Sequence, residues 1–307
     1  MTKLVSIIMN CKNGERYLKY SLNSVLEQKY KNWELIFVDN NSKDETKKIF
    51  KKYKDNRFKY FNTKENLKLG AARQFALKKC RGEFIAFLDS DDLWSDSKLQ
   101  LQIPKFRDKK VGIVISNTVF FNNHKEIIYY KYPPETGFVF KKLIQKYNIN
   151  LETLVCRKSI IKKLNFKFNK NFEMISDYEL CIKLSLVSKV SYVDKILSKW
   201  RVHPKSDSWN KRKKFFTEKL NFLNKLLINN KIKKKIEFKR LIEIEKKRLK
   251  LLIIQENLHS GLSQSKQLYK IFNNFYLCKE FFIALLVFFL PFTYSIISFT
   301  KKFFLKP

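Results

Sequence analysis

The feature that most constrains the fold is an alternation, in the N-terminal third, of short apolar runs with longer amphipathic stretches. Apolar, β-branched runs are typical of buried strands, and amphipathic stretches between them are typical of helices that cover a parallel sheet. We therefore predict an α/β fold with a mostly parallel, Rossmann-like sheet. The predicted strands occupy residues 5–9, 34–38, 58–61 and 84–88, and the predicted helices occupy residues 17–26, 46–53 and 71–79.

The rest of the chain changes character twice. Strand-like runs recur at residues 111–132, 150–156 and 190–203, with a helix beginning near Tyr178, so the middle is predicted to be α+β. Residues 211–277 follow a helical period and are predicted to be packed helices. One apolar stripe contains Phe215, Leu220, Leu223 and Leu227, and another contains Ile236, Leu241, Ile244 and Leu251.

The C-terminal end carries an uncharged run from Phe281 to Phe299, which Pro291 divides. A spanning helix, a helix lying in the membrane interface and a buried helix are the alternatives, and we favour contact with a membrane. The predicted organisation is therefore an α/β domain at 1–208, a helical region at 209–278 and a hydrophobic, membrane-associating segment at 279–307.

Charge and cysteine content bear on partners and compartment. Lys and Arg number 64 against 28 Asp and Glu, a net charge of +36, which attracts phosphates, anionic lipid or nucleic acid. A general compositional bias explains this excess equally well. No zinc-finger spacing or RNP-like motif favours nucleic acid as the partner. The five cysteines lack a Cys-x-x-Cys pair and the N-terminal residues lack a secretory signal, which predicts a cytoplasmic location.

Polar residues follow each of the four predicted strands. Because ligands of an open α/β sheet bind outside the carboxyl ends of its strands, we expect these loops to converge on one crevice. Ser42 and Glu45 further predict a capping box that starts the second helix directly after its loop. The loops begin with Asn10-Cys11-Lys12-Asn13-Gly14, Asp39-Asn40-Asn41-Ser42, Asn66-Leu67-Lys68-Leu69-Gly70 and Asp89-Ser90-Asp91-Asp92.

The fourth loop, residues 89–92 and here called the acid loop, places three carboxylates within four residues after an apolar strand. Like charges at this spacing favour a bound cation, and hard carboxylate oxygens favour Mg²⁺ or Mn²⁺. An ion there would neutralise charge on a departing diphosphate. A solvated turn that caps the next helix is the plainer alternative.

These residues carry a resemblance to the family 2 glycosyltransferases, inverting enzymes with the GT-A fold. The resemblance extends over residues 4–203, and the order and spacing of its segments make it specific. The segments are VSIIMN (5–10), SVLEQ (24–28), WELIFVDNNS (33–42), NLKLGAAR (66–73) and EFIAFLDSDD (83–92).

The resemblance implies roles for individual donor-site residues. Asn10 and Asp39 match positions that bind the nucleotide base and ribose. Arg73 matches the arginine of the Asn-x-Gly-x-x-x-Ala-Arg type motif, although Gly70 here lies four residues after Asn66. Asp89 and Asp91 match the Asp-x-Asp signature for metal and diphosphate. On charge grounds alone, Lys12 and Lys68 would join Arg73 in a basic face for the donor phosphates. Ordinary solvated surface is the alternative for either lysine.

The acceptor side has its own matching residues. The segment SDYEL (176–180) resembles the family's Glu-Asp-Tyr-Glu-Leu motif, which makes Asp177 the general base that accepts the acceptor hydroxyl proton. Ser176 departs from the motif and leaves the site one negative charge poorer. Trp200-Arg201-Val202-His203 resembles an aromatic-Arg-x-His segment, in which His203 would bind the metal while Arg201 or Trp200 contacts phosphate or acceptor.

The predicted function is therefore inverting transfer of a hexose from a nucleotide-sugar donor, expected to be a UDP-sugar, to a hydroxyl of a glycan or lipid-linked glycan. Such a reaction belongs to cell-surface polysaccharide or lipopolysaccharide synthesis at the inner face of the cell membrane. Transfer onto a polyprenyl phosphate is the closest alternative. A noncatalytic basic protein that binds nucleic acid or membrane is the alternative from another class, and a nucleotidyltransferase is disfavoured because only Gly14 follows the first strand.

Overall fold

The structure is a computed structural model that describes residues 2–122, 124–204 and 210–259. The chain divides into two compact units, Met1–Arg201 and Val202–Pro307. The predicted boundaries at 208 and 278 remain predictions.

A parallel sheet forms the N-terminal half of the first unit, as the sequence predicts. Its strands run in the order β3-β2-β1-β4, all parallel, so that their carboxyl ends lie along one edge. Strand β2 is buried along its whole length, which explains the apolar run of residues 35–38, and its buried Glu34 is hydrogen-bonded to Ser6 and Arg81. The elements are β1 Val5–Cys11, α1 Leu18–Leu26, β2 Trp33–Asp39, α2 Thr46–Lys51, β3 Phe58–Asn62, α3 Leu69–Lys79 and β4 Phe84–Phe87.

The sheet continues with antiparallel and parallel pairs in the order β4-β8-β6-β9-β5, and β7 pairs with β6. Strand β9 runs parallel to β6 and ends beside the acid loop, where β5 pairs with it. The elements are β5 Leu93–Trp94, α4 Lys98–Gln102, a 3₁₀ helix Ile103–Arg107, β6 Val111–Phe121, β7 Glu126–Ile128, α5 Phe140–Gln145, a second 3₁₀ helix Leu151–Thr153, β8 Val155–Arg157, α6 Lys158–Lys163, α7 Ser176–Ser185 and β9 Lys189–Arg201.

The predicted capping box at Ser42 and Glu45 is wrong. Helix α2 begins at Thr46 with Glu45 itself in the cap position; the Glu45 side chain makes no capping hydrogen bond, and Asp44 Oδ1 accepts the hydrogen bond from the backbone N–H of Thr46 at 3.0 Å. The Ser42 hydroxyl instead accepts a hydrogen bond from the backbone N–H of Asn13 at 2.9 Å. The Ser42 Oγ atom, which would have capped α2, is therefore used to join the loop after β2 to the loop after β1.

The second unit contains α8 Arg212–Leu226, α9 Asn230–Lys233 and α10 Ile236–His259. The second predicted apolar stripe is wrong at two positions, since Ile236 is 81% exposed and Ile244 is 48% exposed, whereas no residue of the first stripe is exposed. The buried seam instead includes an ion pair between Lys219 Nζ and Glu245 Oε1 at 2.8 Å. Apolar periodicity alone does not locate the seam, because three of its buried positions, Glu218, Lys219 and Glu245, are charged. The buried apolar side chains of these helices are Phe222, Leu223, Leu226, Ile232, Ile242, Leu249, Leu251 and Ile254.

The predicted membrane segment at 279–307 and Cys278 lie outside the described residues. Among the helices of the described part, none has both the length and the apolar character needed to cross a bilayer. The four described cysteines, Cys11, Cys80, Cys156 and Cys181, are buried free thiols.

Candidate active site

Asp39 ends β2 as a buried carboxylate held from two sides. Its Oδ1 accepts a hydrogen bond from the backbone N–H of Ser42 at 2.9 Å, and its Oδ2 accepts one from the Tyr60 hydroxyl at 2.6 Å. Burial and the Asp39 carboxylate together raise the pKa of Tyr60, so this hydroxyl remains a donor. Asp39 is thereby fixed in orientation at the edge where the strands end.

Asn10 lies beside Asp39 at the end of β1, where the two strands pair as Asn10 with Val38 and Cys11 with Asp39. The Nδ2 atom of Asn10 is buried and has no hydrogen-bond partner. A buried amide donor without a partner is costly in a folded protein. The site therefore offers a donor that a ligand oxygen would satisfy.

The loop after β1 contacts both neighbouring loops. The backbone N–H of Gly14 donates to Thr46 Oγ1 at 2.8 Å, and the backbone N–H of Asn40 donates to the Cys11 carbonyl at 2.7 Å. A Cβ at Gly14 would lie 2.4 Å from Cys11 Sγ and 3.4 Å from Ser90 Oγ, so this loop packs closely beside the acid loop. The predicted convergence of these loops on one edge is what the contacts display.

Arg73 connects the acid loop with helix α7. Its side chain is 5% exposed, Nη1 donates to Ser176 Oγ at 2.5 Å, and Nη2 lies 3.6 Å from Asp89 Oδ1. A buried guanidinium needs such partners because an unpaired buried charge is strongly destabilising. Ser176, the residue that departs from the family motif, is therefore the hydroxyl that binds Arg73.

The two lysines assigned to the basic face differ from Arg73 in being exposed. Lys12 is exposed in the loop after β1, and the Lys68 ammonium lies 4.0 Å from the Glu173 carboxylate with 53% of its side chain exposed. Arg73 is therefore the one cation of the three that the fold itself holds in place. The contacts of Lys12 and Lys68 with phosphate remain predictions.

The three carboxylates of the acid loop differ in burial and in role. Asp92 is buried, and its Oδ1 accepts a hydrogen bond from the backbone N–H of Arg201 at 2.8 Å. Asp89 and Asp91 are partly exposed. Asp92 therefore joins the loop to β9, and Asp89 and Asp91 are left as the accessible pair.

The charge density of the loop shifts its proton affinities. Removal of water raises the pKa of Asp89 to about 6; Arg73 opposes the shift, and the carboxylates of Asp91 and Asp177 add to it. Burial, again with help from neighbouring carboxylates, raises the pKa of Asp92 well above its usual range. A cation at the loop would relieve this repulsion and favour ionised Asp89.

The carboxylates of the acid loop fit one of two ways in which a protein can bind a divalent metal ion. Within residues 2–122, 124–204 and 210–259, no three His, Cys, Asp or Glu side chains are arranged to hold a metal ion. A cage made by protein side chains is therefore not formed there. Mg²⁺ and Mn²⁺ commonly bind through one or two carboxylates with substrate phosphates and water as the other ligands. Asp89 and Asp91 fit that second arrangement.

Asp177 lies in the first turn of α7, one residue after the Ser176 that binds Arg73. Its Oδ2 accepts a hydrogen bond from the Tyr147 hydroxyl at 3.0 Å. Burial raises the pKa of Asp177, whereas Arg73, the backbone N–H of Tyr178 and the Tyr147 hydroxyl oppose that shift. Arg73 thus acts electrostatically on both Asp177 and Asp89.

Arg201 fastens the end of β9 to the acid loop. Its Nε donates to the Asp91 carbonyl at 2.9 Å, and its guanidinium lies 4.4 Å from the ring centroids of both Tyr17 and Phe121. Trp200 packs edge-on against Phe120 at 4.5 Å between centroids. These contacts give Arg201 a structural role in addition to the phosphate contact, which remains a prediction for it and for Trp200. His203 belongs to the second unit, and its binding to a metal also remains a prediction.

Gly70 allows the start of α3 to approach the segment before α7. A Cβ there would lie 2.1 Å from the carbonyl oxygen of Asn169, and the Gly70 N–H donates to the Phe172 carbonyl at 2.8 Å. This approach positions Arg73 one turn further along α3. The segment NLKLGAAR (66–73) therefore needs glycine at position 70 for packing.

The substitution Gly70→Ala tests this packing, because helix propensity and the backbone contact predict opposite changes in the stability of the fold. Helix propensity alone predicts stabilisation by about 1 kcal/mol, whereas the backbone clash predicts destabilisation by about 1–3 kcal/mol. We expect destabilisation, measured as a lower midpoint of urea or thermal unfolding. A raised midpoint would show that the segment at Asn169 moves aside without cost.

Two tyrosines of the site were missed at the level of sequence. Tyr60 and Tyr147 hold Asp39 and Asp177 by hydrogen bonds from distant parts of the chain. The sequence indicated Tyr60 only weakly, because it lies on the predicted strand at residues 58–61. Tyr147 lies between short elements, and no pattern in its surroundings distinguishes it from the other tyrosines.

Comparisons with known proteins bear on the family and on the fold. The family model described as Glycosyl transferase family 2 matches residues 6–165. The chain is 34% identical over 165 residues to UDP-Glc:alpha-D-GlcNAc-diphosphoundecaprenol beta-1,3-glucosyltransferase WfgD of Escherichia coli. That match covers 54% of this chain and 64% of the relative, so the chain spans less than two thirds of the relative's length.

Solved structures share the fold at low sequence identity. The S. aureus TarS 1-349 structure has a TM-score of 0.65 and 21% identity, covering 87% of this chain and 77% of that one. The mannosyltransferase PcManGT from Pyrobaculum calidifontis, solved in complex with GDP-Man and Mn2+, has a TM-score of 0.60 and 17% identity, covering 90% and 81%. The GT-A type of fold is therefore shared with both.

Proposed function

The chain belongs to glycosyl transferase family 2, and from that premise we propose that it transfers a sugar from a nucleotide diphosphate sugar to an acceptor hydroxyl with inversion. The observation that carries the proposal is the position of Arg73, 2.5 Å from Ser176 beside Asp177 and 3.6 Å from Asp89. One buried arginine thereby contacts both the acid loop and the turn of α7 that carries the candidate base. A direct displacement needs such groups held close together at one site.

The donor is bound through the ends of β1, β2 and α3 in this proposal. Asn10 offers its partnerless Nδ2 to an acceptor atom of the base, and Asp39 binds the ribose. Arg73, together with Lys12 and Lys68, lies toward the phosphates. The E. coli relative is named as a UDP-Glc enzyme, which supports a UDP-sugar as donor.

The metal is Mg²⁺ or Mn²⁺, held by Asp89 and Asp91 with His203 as a further candidate ligand. When bound, such an ion supplies positive charge to the departing diphosphate. The Mn2+ in the PcManGT structure and the raised pKa of Asp89 support this assignment. Arg201 and Asp92 keep the loop in shape around the two carboxylates.

Asp177 is the general base in this proposal, because a raised pKa strengthens a carboxylate as a proton acceptor. The acceptor is a glycan or lipid-linked glycan in cell-surface polysaccharide synthesis, supported by the diphosphoundecaprenol acceptor named for the relative. The reaction takes place at the cytoplasmic face of the membrane, with residues 1–208 as the catalytic domain, 209–278 as a helical region and 279–307 as the membrane-associating segment.

Tyr147→Phe tests the base through the pH dependence of kcat/KM. The Tyr147 hydroxyl lowers the pKa of Asp177, so its loss raises that pKa and moves the acid limb of the pH profile of kcat/KM to higher pH. At pH values below the pKa of Asp177, kcat/KM should fall roughly two- to tenfold, whereas kcat/KM at high pH is preserved.

Tyr192→Phe is the matched control, because Tyr192 makes the equivalent bond to exposed Asp194 at 3.2 Å. It should leave the acid limb in place. An unmoved limb in Tyr147→Phe would remove Asp177 as the titrating base.

The proposed function as a whole is tested by a panel of nucleotide sugars in thermal unfolding with and without Mn²⁺. A UDP-sugar is expected to raise the unfolding temperature, and more so with Mn²⁺, because a ligand that binds only the folded state stabilises it. Equal protection by any polyanion, or none by any nucleotide sugar, would contradict the proposal and favour the noncatalytic basic protein.

A further inference from the structure

The turn between α8 and α10 combines exposed apolar side chains with a cluster of lysines. Ile228 is 68% exposed and Ile236 is 81% exposed, on either side of the short helix α9. Lys231, Lys233 and Lys234 between them are also exposed. We call residues 228–236 the hairpin tip.

The hairpin tip is an ordered structure. Ile232 at its centre is fully buried, and Asn229 Oδ1 accepts a hydrogen bond from the backbone N–H of Lys231 at 2.9 Å. The Lys219–Glu245 pair fastens the two long helices behind it. With one isoleucine anchoring the turn from inside, the fold presents the other two outward.

The charge of this region has one sign. No acidic residue occurs between Glu218 and Glu237, a stretch that contains six lysines, Lys219, Lys225, Lys231, Lys233, Lys234 and Lys235. All of these except Lys219 are exposed. A general excess of lysine explains the charge but not two large apolar side chains exposed among the lysines.

We propose that the hairpin tip binds an anionic phospholipid surface, with Ile228 and Ile236 entering the interface and the lysines contacting lipid phosphates. Surfaces that bind membranes peripherally combine apolar side chains with flanking cations in this way. A single-stranded nucleic acid would use the lysines, but its bases stack on aromatic rather than on aliphatic side chains. The lipid surface is therefore the partner that uses both features.

The first test is sedimentation of the full chain with vesicles of phosphatidylcholine containing phosphatidylglycerol. Replacing Lys231, Lys233 and Lys234 with glutamine should weaken binding on the order of 100-fold, since each lysine near an anionic surface contributes roughly fivefold. Changing Lys47, Lys51 and Lys52 to glutamine is the matched control, because these exposed lysines lie in α2 or directly after it and their replacement removes the same net charge elsewhere. Equal losses in the two triple variants, or no loss in either, would overturn the proposal.

The second test separates apolar contact from charge. Ile228→Ser with Ile236→Ser should weaken vesicle binding roughly tenfold and leave binding to a homopolymer RNA unchanged. An unaltered affinity for vesicles would overturn the proposal and leave a simple polyanion surface. Binding as strong to phosphatidylcholine alone would also overturn it.

A tryptophan reporter addresses the hairpin tip independently of other membrane-binding segments. Ile236→Trp should show a blue-shifted emission on anionic vesicles and quenching by brominated lipid, whereas Tyr132→Trp, at a site 84% exposed in the first unit, should show neither. Absence of quenching at position 236 would overturn the proposal. All variants should keep protection by nucleotide sugar, so failure of membrane contact is distinguishable from failure of the transferase assignment.

Discussion

Asp177→Asn is expected to lower kcat by about 10²–10⁴-fold, the range that general acid–base catalysis contributes. Asparagine retains the shape of the side chain and its position beside Tyr147, but it cannot accept the proton that the acceptor hydroxyl must lose. Donor affinity, measured by thermal protection with a UDP-sugar, should stay within about threefold because Asp177 acts in the transition state.

The matched control for Asp177→Asn is Asp194→Asn, which makes the same chemical change at an exposed residue of β9. It should leave kcat unchanged. Near-normal turnover in Asp177→Asn would instead favour the polyprenyl-phosphate reaction, because a phosphate acceptor is already an anion and needs no base. The variant therefore separates the two catalytic alternatives.

The parallel sheet and the edge that bears the site could be predicted from sequence for one physical reason. A parallel strand buried on both faces is a continuous apolar run, and its carboxyl end is marked by the first polar residues, such as Asp39 and Asp89. Each loop directly follows its strand in the chain, and parallel strands end at the same edge of the sheet, so the loops lie close together. The positions of Asp39 and Asp89 at this edge required no knowledge of side-chain contacts, whereas Asp177 was predicted from the resemblance of SDYEL (176–180) to a family motif.

The parts that could not be predicted depend on contacts between distant residues. Ser42 was predicted as a helix cap, but the N–H of Asn13 takes its hydroxyl, and nothing local to Ser42 signals that partner. Tyr147 likewise reaches Asp177 across thirty positions. In the second unit, the Lys219–Glu245 pair lies within the seam, so a pattern of apolar residues alone misplaces it.

Asp91→Asn is expected to abolish Mn²⁺-dependent protection by the nucleotide sugar and to lower kcat/KM by roughly 10²–10³-fold. Asp89 and Asp91 are the accessible carboxylates of the acid loop, and removing one leaves too little negative charge to hold a divalent ion against a diphosphate. Asp91 is the sharper choice of the two, because Asp89 also lies 3.6 Å from Arg73 and its loss would disturb a buried cation. Without donor and metal, the unfolding temperature of Asp91→Asn should change little.

Asp108→Asn provides the comparison for Asp91→Asn. Asp108 is an exposed aspartate paired with Lys189 at 3.3 Å, and it precedes β6 at the amino end of that strand, away from the carboxyl ends that bear the site. It should keep both the Mn²⁺ response and the activity. If Asp91→Asn retained full Mn²⁺-dependent protection, the acid loop would be a solvated turn and the source of charge for the departing diphosphate would have to be Arg73 with its neighbouring lysines.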